Sequence, residues 1–84
     1  MRLTDLEPRW EHEHSYLEFL CPTCARGETR YSGCVIMLPI APTENGWQSN
    51  GEHDFEKLTI TPSIWHHCES DPHFFIRDGG IVFA

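Results

Sequence analysis

Cys21-Pro22-Thr23-Cys24 is the stretch on which the reading of this chain turns, and Cys68 and His73 answer it from the far end. Two cysteines on a tight, proline-containing turn grip a metal ion from one side. A cysteine and a histidine from a distant segment close the tetrahedron. Cys21, Cys24, Cys68 and His73 are therefore the expected ligands of one structural zinc. His66 and His67 directly precede Cys68 and are the alternatives for the fourth place. Cys34 adjoins the apolar run Val35-Ile36-Met37-Leu38 and reads as a small buried hydrophobe instead.

The chain has 84 residues, which fits one domain, 1–84. A core of that size supplies roughly 3–5 kcal/mol net, so a staple is expected. Met1 to Trp10 is charged and lacks an apolar run, so no secretion signal is expected. No stretch approaches the ~18 apolar residues of a membrane span. The expected setting is a reducing cytoplasm, where four cysteines read better as metal ligands than as disulfides.

The chain carries 13 acids against 6 bases, a formal charge of −7. Affinity for nucleic acid comes largely from Lys and Arg neutralising phosphates, and Lys57 is the single lysine. Direct nucleic-acid binding is not expected. Scattered acids confer solubility, or attract a partner with a basic surface.

Thr4 and Glu7 have the spacing of a capping box, and Pro8 ends any helix there. Leu3, Leu6 and Trp10 are the apolar anchors of that turn. Arg9 reads as a surface ion-pair member. Glu11-His12-Glu13-His14 would set both imidazoles on one face of a strand, which reads as a solvated edge. Ser15 to Leu20 alternates, with Leu17 and Phe19 on one face, and predicts a strand leading into Cys21. Tyr31 to Leu38 is a second strand with a buried end. Pro39 to Gly51 is rich in Pro, Gly and Asn and reads as a loop. Trp47 within it is either a core lid or an exposed contact. Lys57 to Thr61 is a third strand with Leu58 and Ile60 inward, which Pro62 stops or confines to an edge. Ile64 and Trp65 are apolar anchors. Asp78-Gly79 between His73-Phe74-Phe75-Ile76-Arg77 and Gly80 to Ala84 is a strong hairpin signal. The expectation is a mainly β domain: a small antiparallel sheet of about five strands, zinc-ribbon-like, stapled by one zinc. No Ser-His-Asp or Cys-His nucleophile arrangement is legible in this pattern.

Met1-Arg2-Leu3-Thr4-Asp5-Leu6 with Pro8-Arg9-Trp10, Phe55-Glu56-Lys57-Leu58-Thr59-Ile60-Thr61-Pro62-Ser63-Ile64, and Cys68 through His73-Phe74-Phe75-Ile76-Arg77-Asp78-Gly79 resemble a set of small bacterial, prophage and phage proteins. Some of these carry the label ammonia monooxygenase, which implies a membrane metalloenzyme that this chain does not fit. Related domains share the Pro-Ser-Ile segment, and some lie near ubiquitin-like conjugation genes. The resemblance spans nearly the whole chain. Relatives have a shorter Cys-x-x-His spacing, whereas here Cys68 and His73 are separated by Glu69-Ser70-Asp71-Pro72. That departure opens the fourth ligand place to His66 or His67.

Two functions are compatible with this reading. One is a non-enzymatic, zinc-stabilised acidic module acting on a protein partner with a basic surface. In a phage it would act in the host cytoplasm as an inhibitor of a defence or nucleic-acid-processing complex. Trp47 and Trp65 would anchor the contact, and Glu44, Glu52, Asp54, Glu69 and Asp71 would steer it. The alternative is a zinc-dependent hydrolase, or an accessory factor of a ubiquitin-like conjugation system. A catalytic zinc needs three protein ligands, an open position and a nearby acid or base. Glu69, Asp71, His66 and His67 are the candidates for that last role. Elemental analysis is expected to find about one zinc per chain, as in other small metal-stapled domains. Cys34→Ala is expected to retain it, and metal-free protein would overturn the ligand set.

Overall fold

The computed structural model describes residues 1–23, 35–66 and 71–84. Its described residues form a 3-10 turn, η1 (Leu3–Leu6), and seven strands: β1 (Arg9–Glu11), β2 (Tyr16–Leu20), β3 (Val35–Pro39), β4 (Gln48–Ser49), β5 (Ile60–Trp65), β6 (His73–Arg77) and β7 (Gly80–Phe83). The fold is mainly β, as the alternating patterns require. It has two antiparallel sheets in place of the one expected: a three-stranded sheet in the order β1-β2-β3 and a four-stranded sheet in the order β4-β5-β6-β7. No helix among the described residues is long and apolar enough to cross a membrane.

One hydrophobic cluster takes side chains from both sheets. Leu17 and Phe19 come from β2, Ile36 and Leu38 from β3, Ile60 and Ile64 from β5, and Phe74 and Ile76 from β6. Phe19 and Phe74 meet edge to face at 6.1 Å between ring centres, so one aromatic pair joins the two sheets. Leu3 and Leu6 bury themselves in the same cluster, and Trp10 and Phe55 pack against it.

Several elements differ from the sequence reading for identifiable reasons. The N-terminal turn is capped by Asp5, not Thr4: its carboxylate accepts the Arg2 amide N–H at 2.8 Å. Met37 is exposed, because β3 alternates where a continuous buried run was expected. The third strand begins at Ile60 and continues through Pro62 to Trp65. Pro62 sits in an inner strand because the pairing of β5 with β6 shifts register between Ile60 and Ile64. Such an irregularity removes the need for a ladder N–H. The Pro39–Gly51 loop contributes Gln48–Ser49 as a short edge strand.

The Asp78-Gly79 turn forms as expected. Both residues have positive φ, +45° and +73°, which suits the twist of a two-residue hairpin. The N-terminal segment ties this turn down. Gly79 accepts the Leu3 N–H at 2.8 Å and donates to the Leu58 carbonyl at 2.9 Å. A Cβ on Gly79 would lie 2.6 Å from the backbone of Glu56, so only glycine fits. Arg9 pairs with Glu11 at 3.1 Å and with Glu18, as a surface ion pair should.

Truncation of the joining aromatic follows directly from this packing. Phe19→Ala is expected to lower unfolding free energy by about 3–5 kcal/mol. Met37→Ala should stay within about 0.5 kcal/mol of the parent. Urea denaturation of both variants checks the contrast.

Candidate active site

β5 and β6 run antiparallel with Ile64 opposite Phe74 and Trp65 opposite His73. Ile64 and Phe74 are buried, so the alternate residues Ser63, Trp65, His73, Phe75 and Arg77 share the opposite, solvent-side face. Ser63 stands two residues from Trp65 and is thus diagonal to His73 across the pair. Diagonal neighbours lie within reach of a long side chain. The His73 imidazole spans that gap, and its Nε2 lies 2.7 Å from the Ser63 hydroxyl.

Two features hold the pair. The Trp47 indole N–H donates to the Ser63 carbonyl at 3.2 Å and so fixes the backbone at the serine. Trp47 is half-buried against the core, which makes it a lid and a brace instead of the exposed anchor expected as one option. On the other side, His73 is flanked by two roughly parallel rings: Trp65 at 5.9 Å with 27° between planes, and Phe75 at 6.4 Å with 23°. Trp65 is exposed, and its indole N–H donates to Asp71 Oδ1 at 2.9 Å. The Arg77 guanidinium covers Phe75 at 4.4 Å. Ser63 is half-buried and His73 exposed.

A serine hydroxyl within hydrogen-bond reach of a neutral imidazole nitrogen can lose its proton to that nitrogen as the oxygen attacks a carbonyl. No Ser-His-Asp arrangement is legible in the sequence pattern, and it is the fold that brings Ser63 and His73 together. Ser63 was legible only as part of Pro-Ser-Ile. The signal that reveals it is register: a strand reaching Trp65, folded back so that Trp65 faces His73, sets Ser63 diagonal to the imidazole.

Cys24 and Cys68 of the expected zinc set lie outside the described residues, as do Cys34, His67 and Glu69. Cys21 is fully buried directly after β2, with its Sγ 3.5 Å from the Thr23 hydroxyl. His73 is on the solvent side with Nε2 on Ser63. Among the described residues no group of three or more His, Cys, Asp or Glu could hold a metal ion.

His12 and His14 lie in the β1–β2 turn, where His12, Glu13 and His14 all have positive φ. The His14 ring stacks on His53 at 3.8 Å with 7° between planes, beside Trp10. Imidazole lone pairs lie in the ring plane, so two stacked parallel rings do not aim at a common ion. The pair closes the turn over Trp10, whose indole N–H donates to the His53 carbonyl at 3.0 Å.

No curated protein and no solved structure matches the chain. One family model does, over residues 4–84, and its description is Bacterial ubiquitination-like system serine protease (BubE). The match runs from the N-terminal turn to the last strand and includes both Ser63 and His73, and on that extent the chain belongs to the BubE family.

Proposed function

We propose that this protein is a serine hydrolase of a bacterial ubiquitination-like system, with Ser63 as nucleophile and His73 as general base. Its substrate class is a ubiquitin-like modifier joined through its C-terminal carbonyl to an amine or a hydroxyl. The observation that carries the reading is the 2.7 Å contact between Ser63 and His73 on an open sheet face. Membership of a family described as serine proteases supports it.

The chemistry follows from the two side chains. Ser63 Oγ attacks the carbonyl carbon while Nε2 of His73 takes its proton, giving a tetrahedral adduct. The imidazolium returns that proton to the leaving amine or alcohol, and the bond to it breaks. The modifier is left as an ester on Ser63. Water then attacks the ester, His73 again accepts the proton, and it delivers that proton to the departing serine oxygen. The stacked Trp65 and Phe75 rings keep the imidazole edge-on to the hydroxyl.

The base role uses Nε2. If zinc is bound, Cys21, Cys24 and Cys68 remain its cysteine ligands in this reading. The fourth place then falls to His66 or His67, and the metal is a structural staple with no part in the reaction. The acidic surface, −7 overall, suits a modifier or conjugate with a basic face, whose approach it would steer. A non-enzymatic module would not require the serine–histidine contact.

The test is labelling with a fluorophosphonate, which reacts with activated serines. Wild-type protein is expected to be labelled at Ser63, and Ser63→Ala not at all. His73→Ala should label at least about 100-fold more slowly, the usual contribution of a positioned base. The same variants should fail to release a ubiquitin-like modifier from a C-terminal peptide fusion. Cleavage that survives Ser63→Ala would overturn the assignment.

A further inference from the structure

Among the described residues, the Asp71 carboxylate is linked to the imidazole by an indirect route. Asp71 Oδ1 accepts the Trp65 indole N–H at 2.9 Å. That indole stacks on the His73 ring at 5.9 Å and 27°. His73 Nε2 then meets the Ser63 hydroxyl at 2.7 Å. The chain of contacts is carboxylate, indole, imidazole, hydroxyl. We propose that Asp71 is a positioning residue that sets the His73 imidazole toward Ser63 by fixing the Trp65 indole. The inference rests on the serine-hydrolase reading for its catalytic consequence, although its geometric content does not.

Trp65 is the middle member of this series of contacts. It is 56% exposed, so core packing alone does not choose its rotamer. A charge-assisted hydrogen bond at one end of the ring restrains it. Trp65 and His73 lie directly opposite each other across β5 and β6. A fixed indole therefore presents a fixed wall, and the imidazole settles parallel to it. Phe75 supplies the second wall at 6.4 Å, and Arg77 in turn covers Phe75. In a serine–histidine–aspartate triad the acid orients the histidine by bonding its Nδ1–H. Here the same task is divided, with the carboxylate holding a ring and the ring holding the histidine.

The substitutions that test this are chosen around the backbone. Asp71 has φ of +49°, where glycine and asparagine are tolerated and alanine is strained. Asp71→Gly removes the acceptor without straining the chain. Asp71→Asn keeps an oxygen for the indole N–H. Trp65→Phe keeps a ring, removes the N–H and leaves residue 71 untouched. The first readout is the rate of fluorophosphonate labelling at Ser63. A misaligned base slows the reaction, so Asp71→Gly and Trp65→Phe should each label about 10-fold more slowly. Asp71→Asn should stay within about 3-fold of wild type, and the Asp71→Gly/Trp65→Phe double variant should be no slower than either single variant, as coupled residues require. Thermal unfolding of the variants checks that the fold persists.

Three results would overturn the proposal: Asp71→Asn as slow as Asp71→Gly, Trp65→Phe as fast as wild type, or losses that multiply in the double variant. The first would make the negative charge the active feature, as for an acid acting directly. Crystal structures of the variants form the second readout and do not need activity. Asp71→Gly and Trp65→Phe should show the His73 ring turned out of hydrogen-bond distance of Ser63, while Asp71→Asn should retain the contact. Wild-type protein that takes no label would defeat the hydrolase reading alone. The position of His73 in the variant crystals would then still decide the proposal: a ring that stays on Ser63 in Asp71→Gly overturns it, and one that leaves sustains it.

Discussion

The pairing of β5 with β6 is the constraint on which the site depends. Ile64 opposite Phe74 fixes which residues point into the core, and Trp65 opposite His73 fixes which share the other face. Because side chains alternate with period two, a slip of one residue would bury His73 and expose Phe74. Phe74 also makes the edge-to-face contact with Phe19 that joins the two sheets. The hydrophobic cost of such a slip therefore protects the register that brings Ser63 to His73. Core packing and site geometry are two consequences of one ladder.

The register shift between Ile60 and Ile64 makes this ladder unusual. It lets a strand carrying Pro62 run through the middle of a sheet, and the serine follows at once. Bulges re-aim side chains and are common beside active sites. The Pro39–Gly51 loop supports the arrangement from outside, with the Trp47 indole on the Ser63 carbonyl. The Asp78-Gly79 turn supports it from the other end of β6, held by Leu3 and Leu58. The site thus stands on strands braced at both ends, which suits a pair of groups that must stay in hydrogen-bond contact.

Much of the β architecture was legible because the physics behind it is local. Leu17 and Phe19 alternate with Tyr16 and Glu18, and Asp78-Gly79 tolerates the positive φ a tight hairpin demands. The short strands Arg9–Glu11 and Gln48–Ser49 were not legible, because two or three residues carry no periodic signal. Pro62 concealed the second half of β5, since a proline argues against an inner strand unless the ladder is irregular there. Ser63 was concealed for a different reason. Its partner is ten positions away (Ser63 to His73), and only the register makes them neighbours. Cysteine spacing is visible in one dimension, whereas a serine–histidine pair is a fact of pairing, so the sequence drew attention to the cysteines first.

The central claim is that Ser63 forms a covalent acyl intermediate with the substrate's terminal carbonyl. The most direct measurement is acid quenching of the protein during turnover of a ubiquitin-like modifier fused to a C-terminal peptide, followed by peptide mass mapping. The account predicts the modifier's C-terminal residue attached in ester linkage to Ser63, with the adduct absent from Ser63→Ala. An adduct on a cysteine, or turnover with no modification of Ser63 at any time point and full activity in Ser63→Ala, would contradict it.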